Sequence, residues 1–351
     1  MHMADALVSP LVGGVMWVAT AGVAAYSVKK LQQEMDEKKV PLMGVMGAFV
    51  FAAQMINFSI PGTGSSGHLG GGLLLAILLG PYAGFLTMAS ILLIQALFFA
   101  DGGLLAYGCN VFNMGFYTCF LAYPFIYNAI MKKGYSKSRI FSASMLAAVL
   151  GLQMGAFSVV LETLMSGISE LPFGTFVLLM QPIHLGIGIV EGLVTAVVVA
   201  FVWQARPEII EKTSRGEMLG GISTGKVVAG LAIVALLTGG VLSWVASTYP
   251  DGLEWSMYKT AGVEELEAPD GLHQSLSEVQ TNTAFLPDYG FKSAEGEEEA
   301  AEAEPAWPAV NAGTSLAGIV GGVLTLLLAG ITGLVINSFK RKKKSATIIQ
   351  A

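Results

Sequence analysis

Uncharged, strongly apolar runs recur along the chain and are separated by short polar segments: Ala6–Val28, Val40–Gly67, Leu69–Ala100, Gly102–Met131, Ile140–Leu161, Phe173–Val190, Val227–Tyr249 and Ala312–Phe339. A helix needs roughly 20 apolar residues to cross a bilayer, so these runs predict membrane-spanning helices. Composition agrees. Of the 351 residues 54% are hydrophobic and only 13% are charged, a balance that no soluble domain of this length accommodates.

The charges sort by sign along the chain. Lys29–Lys39, Lys132–Arg139, Arg206–Lys226 and Lys340–Lys344 hold 17 of the 19 Lys and Arg, and the positive-inside rule places these four segments in the cytoplasm. Asp251–Glu304 is acidic, with 14 Asp and Glu that include Glu295, Glu297, Glu298, Glu299, Glu302 and Glu304, and is expected outside, loosely ordered in its Ala/Glu/Pro part. With both Lys29–Lys39 and Lys132–Arg139 inside, one crossing is missing between residues 69 and 131. Gly80-Pro81 supplies it, because the residue before proline avoids helix. Leu69–Leu79 then becomes a helix too short to span, preceded by a dipping Gly-rich loop, Pro61–Gly72. Such irregular backbone at membrane depth usually lines a binding site. The count is nine crossings, at about 6–28, 41–59, 69–79, 81–99, 104–131, 140–165, 173–203, 227–248 and 313–338, with the N-terminus outside and the C-terminus in the cytoplasm.

The chain begins Met1-His2 with no basic n-region and no signal-peptide pattern, and its terminus is expected to be mature as written. A free α-amine, the amide nitrogen of residue 2 and the imidazole of a histidine at residue 2 close fused chelate rings on one metal. A second imidazole completes a plane of nitrogens that suits Ni(II) or Cu(II) over tetrahedral Zn(II). Besides His2 the sequence holds only His68, His184 and His273. His68 ends the dipping loop, whose glycines permit close approach to a small ligand and whose Ser65 and Ser66 are candidates to orient imidazoles. The plainer alternatives are a chance histidine at the start and a loop histidine beside a helix.

Met1-His2 with Ser9-Pro10, the run Gly62–Gly72, Leu75–Pro81, Gln95–Leu104 and Asn110-Val111-Phe112-Asn113-Met114 together resemble the CbiM/NikM family, the substrate-capture (S) components of nickel and cobalt energy-coupling-factor (ECF) transporters. The resemblance covers residues 1–205. It implies a seven-helix S-component bundle, a metal site at Met1, His2 and His68, and as partners a transmembrane coupling (T) subunit and two cytoplasmic ATPases in a prokaryotic cytoplasmic membrane. Where the family commonly reads Pro-Asp-Gly-Phe after the start, this chain has Ala4-Asp5-Ala6-Leu7. Residues 227–344 resemble the small N-type (NikN-like) accessory subunit, through Tyr249–Ser256, the echo Pro269-Asp270-Gly271-Leu272 and Pro287-Asp288-Tyr289-Gly290. The expected architecture is therefore all-α. The S-component bundle is followed by a cytoplasmic linker, 206–226, and by two further transmembrane helices, 227–248 and 313–338, that flank an acidic extracytoplasmic segment, 249–312, before a basic tail.

Other candidates carry open readings. Asn110 and Asn113 are possible supports behind the metal ligands, and Asp101 reads as a helix cap or as another such support. Ala21 and Ala25 give a small-residue spacing that suits either a partner helix or internal packing. His184 and Glu191 share a helix face, as a structural pair with Glu162 as another partner or as a transient metal relay. His273 is expected to be solvated, and Cys109 and Cys119 to be buried thiols. No Walker motif is present, so energy would come from partner subunits. The expected function is high-affinity capture of a transported divalent metal, nickel before cobalt, with no cofactor, no catalysis of its own and no nucleic-acid partner. The alternatives are a cobalt-specific S component serving cobalamin biosynthesis, a passive metal channel and a membrane-embedded metalloenzyme. His-Glu-x-x-His is absent from the sequence.

Overall fold

In the computed structural model the described residues are 2–169, 171–263, 266, 271–292 and 308–349, with side chains as far as 340. Met1, the acidic cluster Glu295–Glu304 and the pair Pro269-Asp270 lie outside them. Helix α1 (Pro10–Glu34) begins four residues later and ends six residues later than the expected 6–28. Ser9 caps it by accepting from the Val12 amide, and Pro10 occupies the first turn, where no donor is needed. Helix α2 (Lys39–Gln54) stops five residues before the expected Ser59, because the chain turns into a hairpin of β1 (Phe58–Ile60) and β2 (Ser65–Gly67). The pairing is antiparallel, Ser59 opposite Ser66, and Gly62 and Gly64 take positive φ in the turn. The Gly-rich loop is thus a small sheet in an otherwise helical protein.

Helix α3 (Gly72–Leu79) is eight residues long, about 12 Å at 1.5 Å per residue, and every residue in it is buried. Gly80, at φ 86, ends it, and α4 (Pro81–Phe98) starts at the proline, so the break falls at the expected pair. A continuous rod follows, α5 (Tyr107–Val111), a π-helical stretch Phe112–Tyr127 containing Pro124, and α6 (Asn128–Met131). Helices α7 (Lys137–Ser166) and α8 (Phe173–Ala205) are long and apolar. The segment expected as a bare linker contains α9 (Pro207–Ser214), which buries Ile209 and Ile210 and places the Thr213 hydroxyl on the Leu78 carbonyl, closing the C-terminal end of α3.

The remainder comprises α10 (Gly225–Gly240), α11 (Gly252–Ala261), α12 (Leu272–Thr283) and α13 (Ala312–Ile349). Helix α13 lies against α2 and α10 through glycines. A Cβ on Gly318 would sit 2.3 Å from the Gly239 carbonyl oxygen, and one on Gly321 2.0 Å from the Phe51 ring. Among the described residues, α1, α4, α7, α8 and α13 are long and apolar enough to cross a bilayer, and the apolar α2 and α10 are shorter. Their outward faces, including Leu146, Leu150, Leu185, Ile189, Leu193 and Val197, are exposed hydrocarbon, as a lipid-facing surface requires. Cys109 and Cys119 are both buried and unpaired.

Candidate metal centre

The N-terminal segment is threaded into the protein rather than lying on it. Met3, Leu7 and Val8 are buried. Asn110 brackets Met3, accepting from its amide at 2.7 Å and donating to its carbonyl at 3.1 Å, while the Gly103 amide donates to the same carbonyl at 2.8 Å. Asp5 accepts from the Ala106 amide, and His273 Nε2 donates to the Val8 carbonyl at 2.8 Å. His273 is therefore buried, not solvated; helix α12 carries it back onto the N-terminus, a contact 265 residues apart that no local pattern signals.

These bonds deliver His2 opposite the hairpin loop. Its imidazole lies nearly parallel to that of His68, with ring centroids 4.9 Å apart and 12° between planes. His68 Nδ1 is 3.1 Å from the Leu69 carbonyl oxygen. Only an N–H makes that contact favourable, so the proton sits on Nδ1 and Nε2 carries the lone pair. Burial pushes this imidazole down to about 3, which keeps it neutral as metal ligation requires. His2 Nδ1 lies 3.1 Å from Asp101 Oδ1, and His2 Nε2 is buried with no hydrogen-bond partner among the described residues. Tyr289 donates its phenol to the other oxygen of Asp101. Burial alone would raise the Asp101 carboxyl; His2 and Tyr289 outweigh it and hold the carboxyl well below the usual range. Asp101 is thus a partner of His2 rather than a helix cap.

The loop that carries His68 is fixed from three sides. Glu191 on α8 accepts from the Gly70 amide at 2.7 Å and the Gly71 amide at 3.2 Å, directly at the start of α3. A carboxylate there satisfies orphan amides and complements the helix dipole. Gln54 donates to the Gly70 carbonyl and is itself held by Gln95. Ser66 donates its hydroxyl to the Tyr249 carbonyl, and its amide donates to the Pro250 carbonyl. The hydrogen bonds of Ser65 and Ser66 thus go to backbone oxygens, Ser65 bonding the Ser66 carbonyl, and do not orient an imidazole. Hairpin geometry turns those hydroxyls toward neighbouring main chain.

The remaining sequence candidates fall as follows. Asn110 bonds the Met3 backbone, and Asn113 donates to Glu162 at 2.7 Å and lies 3.8 Å from the Met3 sulfur. Glu162 meets Asn113 and Ser158 in place of the expected His184 or Glu191. His184 donates Nδ1 to the Met180 carbonyl, and its Nε2 is buried without a partner among the described residues, beside a small void that also touches His68. Ala21 and Ala25 are exposed on α1.

The appended region covers the site. Asp251 caps α11 in a reciprocal box with Glu254. Both line a cavity of about 300 Å³ shared with His2, His68, Asp101 and Tyr289. Burial, and then the neighbouring Asp251, push the Glu254 carboxyl up to about 7. Among the described residues no three His, Cys, Asp or Glu side chains are grouped closely enough to hold a metal.

Residues 2–209 match the family CbiM, described as "Cobalt uptake substrate-specific transmembrane region", and residues 225–338 match the PDGLE domain. A putative fused nickel transport protein, NikMN, of Archaeoglobus fulgidus is 33% identical over 334 residues, covering 93% of this chain and 96% of that one. The cobalt transport protein CbiM of Sorangium cellulosum is 30% identical over 60% of this chain and 95% of its own length. A crystal structure of a truncated transition metal transporter, 31% identical, superposes with a TM-score of 0.52 over 58% of this chain and 99% of that one.

Proposed function

This chain belongs to the CbiM family and carries a PDGLE domain after it, and on that premise we propose that it captures a divalent metal, nickel in preference to cobalt, as the substrate-binding membrane component of an ATP-driven ECF-type uptake transporter. The relatives are nickel and cobalt transport proteins, and several apolar helices make this a multi-pass membrane protein. The ligands in this reading are the Met1 α-amine, the amide and imidazole nitrogens of His2, and His68 Nε2. The single observation that carries it is the pair of parallel imidazoles, 4.9 Å apart, brought together from the N-terminal segment and the hairpin loop. The rings are close enough to share one ion once each turns a nitrogen toward it, with metal–imidazole bonds of about 2 Å in the plane of each ring.

Four nitrogens in a plane favour nickel over the octahedral oxygen sites of harder ions and the tetrahedral sites of zinc. A fused nickel transport relative that aligns over 93% of this chain, and so over the appended region as well, points the same way. The exposed small residues Ala21, Gly22 and Ala25 of α1 suit close approach by the coupling subunit, and the two ATPases act on that subunit from the cytoplasm. Residues 1–205 form the seven-helix capture bundle, 206–226 the cytoplasmic connection, and 227–344 the accessory region, with the N-terminus outside and the C-terminus in the cytoplasm. The distribution of basic segments supports that orientation.

The test joins two measurements. Purified protein with an unextended N-terminus is analysed for bound metal, and cells expressing it with its partner subunits take up labelled nickel in competition with cobalt. Stoichiometric nickel, with uptake that cobalt suppresses only in excess, supports the reading; cobalt-dominated uptake replaces nickel with cobalt, and no metal-dependent uptake overturns it.

A further inference from the structure

A chelate ring that joins the residue 2 amide nitrogen to its own imidazole closes through Cα, Cβ, Cγ and Nδ1. Nε2 lies on the far side of the ring and cannot close it. Yet Nδ1 of His2 is the nitrogen held by Asp101, at 3.1 Å, while Nε2 is buried and bonded to nothing among the described residues. Metal and carboxylate compete for one atom. Asp101 is in turn gripped by a residue of the appended region, the phenol of Tyr289. Burial and Asp101 push that phenol well above its usual range, so it stays protonated and donates.

Tyr289 is firmly seated. The Leu286 amide donates to the Phe98 carbonyl and the Asp288 amide to the Phe99 carbonyl at 2.9 Å. Its ring stacks on Phe99 with centroids 5.0 Å apart, and Gln280 donates to the carbonyls of Ala96 and Gly102 on either side of Asp101. Asp288 and Tyr289 both take positive φ, a conformation that non-glycine residues adopt only where surrounding contacts enforce it.

We propose that Asp101, held by Tyr289, is a latch on His2 Nδ1 that an incoming metal must displace, so that the appended region sets how readily the centre loads. On loading, the bond from Nδ1–H to Asp101 is exchanged for the metal–Nδ1 bond, and the released proton passes to Nε2 or to solvent. The proposal rests on the chelating role of His2 and goes beyond it by naming Asp101 and Tyr289 as positioning residues that restrain loading.

The alternative arrangement has the opposite consequence. If His2 ligated through Nε2 alone, the Asp101 contact would orient the ring and strengthen binding. Tyr289→Phe separates the two, because it removes only the hydroxyl and keeps both the ring stack and the Asp101 charge. The experiment uses the full chain with its N-terminus unextended, in nanodiscs, with Ni²⁺ followed by absorbance in a stopped-flow instrument. The expected result is nickel binding about fivefold tighter in Tyr289→Phe, the worth of one ordinary hydrogen bond, with faster association and an unchanged planar-nitrogen spectrum. In an Asp101→Ala background the same substitution changes nothing, because Tyr289 acts through Asp101. Melting curves without nickel check folding, and Tyr289→Leu serves as a second variant should Tyr289→Phe not fold. Unchanged or weaker nickel binding in folded Tyr289→Phe, with the planar spectrum intact, overturns the latch and leaves the capture reading standing. A wild type with no planar-nitrogen spectrum overturns both.

Discussion

Replacing Glu191 by alanine removes the acceptor for two buried amides, Gly70 N at 2.7 Å and Gly71 N at 3.2 Å. A buried donor left without a partner costs about 1–3 kcal/mol, so the pair costs about 2–6 kcal/mol, felt at the N-terminal end of α3. Neighbouring helices give the amides no ready substitute, since Glu191 is almost completely buried and the hydrocarbon beyond supplies no water. Glu191→Gln keeps one carbonyl acceptor and aims an amide at the other donor, so it should lose roughly half as much. His68 sits two residues before Gly70, so the same loosening reaches the proposed metal ligand. Thermal melting and nickel titration of the purified proteins should rank wild type above Glu191→Gln above Glu191→Ala in both stability and affinity. An alanine variant that melts like wild type would refute the anchoring role. A glutamine variant as weak in nickel binding as alanine, with undiminished stability, would point instead to Glu191 as a metal relay.

Two further outcomes follow from the packing and the expected topology. A cysteine at Tyr82, just past the Gly80-Pro81 break, should be labelled only from the cytoplasmic side, and one at Gly64 only from outside; exterior labelling at position 82 would undo the crossing count. Gly318→Val sets a side chain against the Gly239 carbonyl, where even a Cβ would be 2.3 Å away, and should destabilise the α10–α13 pair by about 1–3 kcal/mol in a melting assay; unchanged melting would mean that the two helices separate at no cost.

What could be read from the sequence was what local physics controls. Gly80-Pro81 broke the helix where a residue before proline must leave it, because proline geometry acts within a turn, whereas the start of α1 at Ser9-Pro10 was masked by the apolar run that reaches back to Ala6. The facing of His2 and His68 was implied by the family resemblance alone, since nothing local to either histidine points to the other across 66 residues. The hairpin was hidden by its own composition, since a Gly/Ser run reads as loop until its partner strand is known. Asp101 looked like a cap because Tyr289, 188 residues away, is what reveals its other role. His273 and Ser66 were misjudged for the same reason: their partners, Val8 and Tyr249, are 265 and 183 residues distant. Glu191 was noticed as a buried charge, yet its partners are two glycine amides, and backbone donors leave no mark on a sequence.

The proposed four-nitrogen nickel site of Met1, His2 and His68 stands or falls on the nickel spectra of wild type, of His68→Ala and of a variant extended by one residue before Met1. The expected results are a planar-nitrogen spectrum in wild type, a shifted spectrum with weakened binding in His68→Ala, and loss of high-affinity binding from the still-folded extended protein, because the extension moves His2 out of its chelating position. Nickel should accordingly raise the melting temperature of wild type far more than that of either variant. An extended protein that retains stoichiometric nickel with an unchanged planar spectrum, or a His68→Ala protein with the wild-type spectrum, would contradict it.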